Sequence, residues 1–335
     1  MPELRLNLVT REWVIIGREK GKRRPEDFVR TREHKKYPEL VETCPFCPGN
    51  ESKTLDEVHR TGDDKGWRTR VVPNKFAVLS KDGERTRQNS GLRKSVNGVG
   101  SHEVIIESPL HNITTATMLP VHLEEVIQTY RERFLEIYTD PRIEHVVILK
   151  NSGPASGTTI EHSHSQVAGL PITPFQIRSR IENAMRFFDE SGDCLMCRLT
   201  ENELNDGSRI LLNTEHFVSF VPYAALSAFH VWIFPKRHSG SFSDIRPEEI
   251  RDLALNLKAT MARLYYGLDH PDFNYVIRSG KPSEADSEFN HWYLSIVPRI
   301  DMASGFELGS GIYLNPLAPE MTAEFLRNVK IPALT

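Results

Sequence analysis

The stretch "EHSHSQV" at residues 161–167 places two histidines and a glutamine at alternate positions. Alternate side chains of a β-strand project from the same face, so His162, His164 and Gln166 would lie side by side. Imidazole can serve as a metal ligand, a nucleophile or a base. The stretch therefore raises two kinds of chemistry, metal binding and group transfer, and the rest of the chain must separate them.

The four cysteines of the chain all lie in two C-x-x-C pairs, "CPFC" at 44–47 and "CLMC" at 194–197. In a reducing compartment such pairs are more often metal ligands or redox centres than structural disulfides. A redox pair would open a helix after a strand, whereas "CPFCPGNES" is a Pro/Gly-rich turn, as in a metal knuckle. The cysteines favour zinc, provided that each pair finds two further ligands.

The second half of the chain repeats the motifs of the first half in the same order. The matching segments around the cysteines are "CPFC" and "CLMC", followed by apolar strands "NKFAVLS" (74–80) and "EHFVSFVP" (215–222). Strands that end in histidine come next, "HEVIIESPLH" (102–111) and "HVWIFPKRH" (230–238), and then the helical patterns "LPVHLEEVIQTYRERFLEIY" (119–138) and "IRPEEIRDLALNLKATMARLYY" (245–266). Last come the strands "HVVILKNSG" and "FNYVIRSGK", with "EHSHSQVAGLP" opposite "NHWYLSIVPRI". We expect an α+β fold of two homologous halves, each a mainly antiparallel sheet with one long helix, joined in one larger sheet.

The repeat supplies the missing metal ligands. Each half offers two cysteines from a turn, a histidine after a strand and a histidine at the last strand, which is a closed tetrahedral zinc set. His230 could replace His238, but the repeat aligns His230 with His102. Two structural zinc sites are predicted, at Cys44, Cys47, His111 and His162 and at Cys194, Cys197, His238 and His291.

Chemistry is expected where the halves diverge. His162 has a counterpart in His291, but Tyr293 lies opposite His164 and Ser295 opposite Gln166. His164 is therefore free for a task that only the first half performs. A neutral imidazole that faces a phosphate can attack phosphorus and form a phosphoramidate.

The loop "KNSGPASGTT" at 150–159 leads directly to the histidine strand. Its glycines, serine and threonines can bring backbone N–H groups and hydroxyls close to a phosphate, although alone it would be an ordinary turn. Gln166 could donate to a non-bridging phosphate oxygen but cannot act as an acid or base. Leaving groups that need no protonation, such as phosphates, suit this arrangement.

Composition excludes several other classes. The chain has 335 residues, 39% of them hydrophobic and 26% charged, with a formal net charge of −3. This charge does not suggest bulk nucleic-acid binding or a membrane surface, and no apolar run is long enough for a signal peptide or a bilayer span. A cytoplasmic protein without nucleic-acid or membrane partners is expected.

At these residues the chain resembles the galactose-1-phosphate uridylyltransferase family, a branch of the histidine-triad superfamily. H-x-H-x-Q with an upstream C-x-x-C carries the resemblance, together with "LRLNLVTREWVIIGREKGKRRPEDF", "VPNKFAVL" and "HVVILKNSGPASGTTIEHSHSQ". The likeness covers nearly the whole chain and implies two histidine-triad-like halves, 1–172 with the nucleophile and the first zinc site, and 173–335 with the second zinc site. It also implies nucleotide-sugar and sugar 1-phosphate substrates, and a homodimer as one possible assembly.

Carried onto this sequence, the resemblance implies that His164 takes a nucleoside monophosphate group and that Gln166 contacts the transferred phosphate. UDP-glucose would give glucose 1-phosphate and uridylyl-His164, and galactose 1-phosphate would then accept the UMP group. The residues implied to hold nucleotide or phosphate are Arg24, Asn74, Asn151, Gly157, Thr158 and Thr159. The basic stretch "REKGKRRP" (18–25) could line a phosphate-bearing cleft through Arg23 and Arg24.

Two departures lead to a runner-up. Many bacterial transferases of the family have H-x-H after the second H-W, where this chain has "HWYLSIVP", and the ending "GFELGSGIYLNPLAPE" also differs from theirs. Both features are similar to a sister group, the ADP-glucose phosphorylases, which transfer AMP to phosphate through the same histidine. A histidine-triad hydrolase and a zinc-stabilised nucleotide-binding protein without turnover are the further alternatives.

Overall fold

The computed structural model describes residues 2–17, 23–29, 36–301 and 303–332. The described residues form fifteen strands and six α-helices. The strands are β1 (Glu3–Leu6), β2 (Trp13–Ile16), β3 (His59–Asp63), β4 (Gly66–Pro73), β5 (Arg87–Ser90), β6 (Arg93–Val96), β7 (Ser101–Ile106), β8 (His145–Ser152), β9 (His164–Leu170), β10 (Ile210–Asn213), β11 (Phe217–Phe220), β12 (Val231–Pro235), β13 (Phe273–Arg278), β14 (Tyr293–Pro298) and β15 (Tyr313–Asn315). The helices are α1 (Pro120–Ile137), α2 (Phe175–Ser191), α3 (Leu195–Asp206), α4 (Pro247–Gly267), α5 (Gly305–Ser310) and α6 (Pro319–Asn328).

Ten strands form one antiparallel sheet in the order β10-β11-β12-β14-β13-β8-β9-β7-β4-β3. Each half of the chain supplies five neighbouring strands, and the halves meet where β13 pairs with β8. Val276 lies opposite Leu149 at this seam. The same two residues lie opposite Ser295 and Gln166 on their other sides, so the halves are related by an approximate two-fold axis between Val276 and Leu149. The predicted α+β fold with one larger sheet is confirmed, whereas the division after residue 172 stays a prediction.

The two long helices cover one face of this sheet. Apolar residues at 3–4 spacing predict α1 and α4, and each begins at a proline, which suits a first helical position because its missing N–H needs no partner there. Val126 and Tyr130 of α1 and Leu253 and Leu257 of α4 belong to one buried apolar cluster with the sheet. Burial of each large apolar side chain contributes about 1.5–3 kcal/mol, so this face is the main core.

The opposite face carries the third and fifth residues of the "HSHSQ" motif, His164 and Gln166, and is called the site face below. In the second half this face is covered by α2 and α3, and Leu195 and Met196 of α3 pack on Trp232. In the first half Gln166 stays partly exposed on this face. Among the described residues, this face is therefore accessible at Gln166 in the first half and covered by helices in the second half.

The prediction of an apolar strand at 74–80 is wrong. The counterpart of β11 is β4, which ends at Pro73. The Asn74 side chain then accepts a hydrogen bond from the N–H of Phe76 (2.9 Å), which turns the chain. Phe76 and Val78 are 83% and 75% exposed, so the apolar letters here do not mark a buried strand.

The second cysteine pair also differs from its expected turn. Cys194 caps α3 and Cys197 lies in its first turn. "CPFCPG" contains prolines that interrupt helical hydrogen bonding, whereas Leu195 and Met196 are good helix formers. The two halves thus present equivalent cysteines from different local structures.

Candidate functional site

His164 is the first residue of β9, where it lies opposite Ile106 of β7. The ring is buried, and its Nδ1–H donates to the carbonyl oxygen of His162 (2.8 Å). Because a carbonyl can only accept, this bond leaves the lone pair on Nε2. Burial lowers the pKa of His164, which favours the neutral imidazole that a nucleophile requires.

The two histidines of the motif lie against the first cysteine knuckle. Phe46, between the two cysteines, makes edge contacts with the rings of His162 and His164, at centroid distances of 6.1 and 5.3 Å. The Nε2–H of His162 donates to the carbonyl oxygen of Ser108 (2.7 Å), which leaves Nδ1 for a metal. The knuckle therefore contacts both rings, of which His162 can serve as a metal ligand.

The first predicted zinc set converges on one point. Cys44 Sγ lies 3.6 Å from His162 Nδ1, and Cys47 Sγ lies 3.5 Å from Nδ1 of both His111 and His162. Tetrahedral zinc with ordinary bond lengths separates sulfur and nitrogen ligands by about 3.6 Å. The donor atoms all lie within 4.8 Å of one another, so these four residues can hold a metal ion.

The second predicted set has the same arrangement. Cys197 Sγ lies 3.3 Å from His238 Nδ1 and 3.4 Å from His291 Nδ1, and Cys194 Sγ lies 3.8 Å from His291 Nδ1. Carbonyl oxygens of Pro235 and Ser287 accept from the other nitrogens of His291 and His238. Zinc suits both sets because four sulfur and nitrogen donors close the shell.

Gln166 is held by a histidine that the sequence did not assign to the site. His102 Nδ1 accepts from the N–H of Val78 (3.3 Å), so the ring proton is on Nε2. That Nε2–H donates to Gln166 Oε1 (2.8 Å), which leaves the NH₂ group of Gln166 for an external acceptor. Asn74 Nδ2 lies 3.2 Å from the same ring nitrogen. His102 thus holds Gln166 and lies beside Asn74, both of which are predicted substrate residues.

The other half keeps a remnant of this contact. His230 corresponds to His102, and its Nε2 lies 2.9 Å from the hydroxyl of Ser295, the counterpart of Gln166. His230 is fully buried and does not approach the second cysteine pair through any described contact. The structure therefore assigns His238, and not His230, to the second metal set. The only advance signal for His102 was its alignment with His230.

The predicted phosphate loop follows β8, whose Leu149 lies opposite Gln166, so the loop emerges at the His164 end of β9. Gly153 and Gly157 have φ values of 82° and 92°, which other residues rarely adopt. Asn151 Oδ1 accepts from Asn274 Nδ2 (2.6 Å), and the N–H of Ala155 donates to Asp272 (2.7 Å). Two residues of the second half therefore fix the loop of the first half.

The remaining predicted residues are placed less closely together. Gly157 and Thr159 are exposed, and Thr158 donates to the carbonyl oxygen of Ile160 (3.3 Å). Arg24 is exposed at the start of a short 3-10 turn, whose Phe28 packs against Phe229 of the second half. No described contact links Arg24 to His164, and the basic residues 18–22 lie outside the described residues. The binding roles of these residues stay predictions.

A buried polar network lies under the nucleophile strand. Ser163 and Ser165 point away from the site face, toward α1, and both donate to Glu107. Lys150 forms an ion pair with the same carboxylate, which also accepts from Tyr130. Burial would raise the pKa of Glu107, but Lys150 and these donors lower it to about 2. The carboxylate therefore stays ionised and connects β7, β8, β9 and α1.

Among the described residues, no helix combines the length and apolar character that a membrane crossing requires.

Comparisons with known proteins agree along the chain. Residues 1–174 match the family model "Galactose-1-phosphate uridyl transferase, N-terminal domain", and residues 180–300 match the corresponding C-terminal domain. An ADP-glucose phosphorylase from Arabidopsis thaliana is 34% identical over 98% of this chain and 93% of its own length. A galactose-1-phosphate uridylyltransferase from Thermotoga maritima is 25% identical over 99% of both chains.

Solved structures give the same picture. The ADP-glucose phosphorylase of Arabidopsis thaliana with bound ADP-glucose has a TM-score of 0.82 and 32% identity, over 99% of this chain and 100% of the other. A uridylyltransferase structure has a TM-score of 0.76 and 23% identity, over 98% and 97% of the two chains. The second similarity concerns the fold alone.

Proposed function

The chain belongs to the galactose-1-phosphate uridylyltransferase family, and we propose that it transfers a nucleoside monophosphate group from a nucleotide sugar through a covalent nucleotidyl-histidine at His164. The observation that carries this proposal is the hydrogen bond from His164 Nδ1–H to the carbonyl oxygen of His162. It holds the ring in the tautomer whose Nε2 can attack phosphorus. Among the described residues, the second half has no counterpart of this ring, because Tyr293 takes its place.

The proposed reaction has two steps. In the first, His164 Nε2 attacks the α-phosphorus, a P–N bond forms, and the P–O bond to the sugar phosphate breaks with its electrons on the leaving sugar 1-phosphate. In the second, a phosphate oxygen of the acceptor attacks the same phosphorus and releases His164. Gln166 would donate its NH₂ group to a non-bridging oxygen, where negative charge is stabilised best by donors already in position. Neither leaving group needs a proton at neutral pH.

For the nucleotide, we infer that adenylyl transfer from ADP-glucose to inorganic phosphate fits this chain best. The products would be adenylyl-His164 and glucose 1-phosphate in the first step and ADP in the second. Support comes from the 34% identity to an ADP-glucose phosphorylase, against 25% to the uridylyltransferase of similar coverage. The sequence features at "HWYLSIVP" and "GFELGSGIYLNPLAPE" point to the same sister group.

The second candidate keeps the mechanism and changes the substrates to UDP-glucose and galactose 1-phosphate. The match of both family domains to residues 1–174 and 180–300 favours it. The two candidates differ only in the base and in the acceptor. They share the expected nucleotidyl-His164, so one experiment can test the common mechanism and then separate them.

The test uses the purified protein with ADP-glucose or UDP-glucose that carries ³²P at the α position. We expect acid-labile label on the protein from ADP-glucose, its release as labelled ADP by phosphate, and no label on His164→Asn. His122→Asn, a histidine of α1 on the other side of the sheet, is the matched control and should be labelled like the wild type. Label that persists in His164→Asn would refute the nucleophile, whereas faster labelling from UDP-glucose would select the second candidate.

Full nucleotide binding by wild type and His164→Asn, with no label in either, would support the remaining alternative of a binding protein without turnover. Binding is measured by calorimetry under the same conditions. The zinc sets can be tested in the same preparation, because two metal equivalents per chain are expected from the two closed donor sets. These sets would contribute folding energy and take no part in either transfer step.

A further inference from the structure

The site face of the second half keeps a cavity at the position that corresponds to the nucleotide site of the first half. Leu149 lies opposite Gln166, and Val276 lies opposite Ser295. Two residues further along each strand, Arg278 therefore corresponds to Asn151. The Ser279–Gly280 pair that follows corresponds to Ser152–Gly153, where the phosphate loop of the first half begins.

This cavity has a volume of about 50 Å³ and lies under α2. One water molecule needs roughly 10–15 Å³ and a drug-sized ligand needs at least about 300 Å³. The cavity therefore suits a tetrahedral oxyanion and excludes a whole nucleotide. The residues that line it include Arg180, Arg278, Ser279, Gly280, His145 and Tyr293.

Aromatic side chains occupy the rest of the corresponding nucleotide site. Tyr293 stands in the place of His164, and its ring lies 5.4 Å from Trp232 and 4.9 Å from Phe234. Leu195 and Met196 of α3 pack on the same cluster. The second half has thus lost the nucleophile and the space for a base, but not the space for one phosphate group.

The cavity has an excess of positive charge. Arg180 Nε and Nη1 are buried and have no hydrogen-bond partner. Arg278 is partly buried at the same cavity, where Tyr293, Arg180 and Glu12 act on its charge. Glu12 supplies one negative charge, but its Oε2 is itself buried without a partner. His145, the remaining basic group at the cavity, is neutral because burial lowers its pKa to about 4.

A buried guanidinium nitrogen without a partner is costly, and Arg180 has two of them beside the cavity that Arg278 also lines. Two guanidinium groups at one small cavity match an oxyanion. We propose that the cavity under α2 binds a phosphate group between Arg180 and Arg278. The site is separate from His164 and performs no chemistry. It ties α2 to the seam strand β13 of the second half, and it links the stability of this half to the concentration of phosphate.

The proposal is tested by thermal unfolding of the whole protein in sodium phosphate and in sodium chloride of equal ionic strength. Phosphate should raise the Tm of the wild type by about 2–4 °C more than chloride does. Most of this difference should disappear in Arg180→Gln and in Arg278→Gln, and Arg180→Lys should keep part of it. Arg93→Gln, which removes one exposed charge from the β5–β6 hairpin, should respond like the wild type.

Binding of phosphate as an acceptor at His164 is separated by Asn151→Ala. This variant should retain the phosphate-dependent gain in Tm, since Asn151 lies in the first half. If Arg278→Gln does not fold, the proposal is tested by Arg180→Gln alone, because Arg180 is partly exposed and its substitution should be tolerated. An equal gain in Tm for the wild type and Arg180→Gln would overturn the proposal, and so would an equal gain from chloride.

The source of the phosphate group is settled by comparing inorganic phosphate with glucose 1-phosphate. If the Arg180-dependent gain in Tm occurs with inorganic phosphate and not with glucose 1-phosphate, the ligand is the free anion, which the small cavity favours. A gain that depends on Arg180 with glucose 1-phosphate as well identifies a phosphate ester whose sugar projects from the cavity mouth. Dependence on neither ligand contradicts the phosphate site.

Discussion

At the residue scale, the placement of Gln166 depends on His102. The N–H of Val78 sets the tautomer of His102, and His102 Nε2–H then holds Gln166 Oε1 at 2.8 Å. A glutamine amide is nearly symmetric, so only its hydrogen-bond partners decide which end faces a substrate. His102 is therefore a positioning residue for the donor that would face the transferred phosphate.

We predict that His102→Phe lowers kcat about tenfold, with a smaller change in KM, because a misplaced donor mainly loses transition-state stabilisation. Gln166→Ala should lower kcat about 100-fold. The two effects should not add, since the double variant has no Gln166 left to misplace. Steady-state kinetics on the four proteins measure this cycle, with Tm as a control for folding. Additive losses would mean that His102 acts independently of Gln166.

At this scale, the sequence predicts different roles for the two histidines of the motif, but it does not indicate which residues hold the motif in place. His164 was identified because the repeat replaces it with tyrosine. His102 and Glu107 were not identified as site residues, because "GSHEVIIESP" contains no spacing that names their partners. Their roles arise from contacts between residues far apart in the sequence, 64 positions for His102 and Gln166 and 58 positions for Glu107 and Ser165.

At the element scale, β9 uses its alternation to serve two faces. His164 and Gln166 lie on the site face, while Ser163 and Ser165 turn inward and donate to Glu107. The carboxylate in turn pairs with Lys150 on the neighbouring strand. The position of His164 therefore depends on a buried ion pair underneath its strand.

We predict that Glu107→Gln lowers the free energy of unfolding by about 3–5 kcal/mol, because Lys150 would be left as an unpaired buried charge. Glu201→Gln, which breaks the exposed pair with Arg198, should cost less than about 1 kcal/mol. Urea unfolding of the three proteins at pH 7 provides the comparison. Similar losses of unfolding free energy for both variants would show that the buried pair contributes no more than the exposed pair.

The same carboxylate should make stability depend on acid. Its pKa is about 2 in the folded protein, below the ordinary value of 4.5. Its contribution is therefore complete above pH 4.5 and decreases as the pH falls toward 2. Between pH 5 and pH 3 the wild type should lose more stability than Glu107→Gln. Urea midpoints across this range measure the difference, and parallel curves would contradict it.

The elements were predictable where a pattern repeats and not elsewhere. Both long helices follow from apolar residues at 3–4 spacing. Helices α2 and α3 were not expected, because their role is to cover the site face of one half only, a difference that comparison of the repeats hides. The polar segment 82–100 contains the β5–β6 hairpin, which no repeat of the second half indicates and whose turn uses Gly91 at a φ of 60°.

At the scale of the whole molecule, each half presents a Cys₂His₂ set that could hold a metal, and among the described residues the proposed site at His164 belongs to the first half alone. The halves remain dependent on each other, since Asn274 and Asp272 of the second half hold the phosphate loop of the first. Arg278 and its cavity lie at the matching place on the other side of the seam. The seam between β8 and β13 therefore joins the proposed site at His164 to the corresponding cavity of the second half.

The two metal sets should differ in their effects on activity. His162 connects the first set to the nucleophile, because its carbonyl oxygen holds His164 Nδ1–H and its Nδ1 lies at the metal position. The second set ends at His291, whose strand carries Tyr293 and no nucleophile. We predict that Cys47→Ser lowers kcat about 10–100-fold, as expected when support for a ligand is lost. Cys197→Ser should change kcat less than about threefold.

Both variants should lose about one zinc and several degrees of Tm, since each closed site would contribute folding energy. Activity is therefore compared at a temperature where circular dichroism shows both variants folded, with metal content measured on the same samples. Equal losses of kcat would mean that zinc acts only through global stability. A loss confined to Cys47→Ser would show that the first site does more than stabilise the fold, because it holds His162 in the position from which its carbonyl oxygen orients His164.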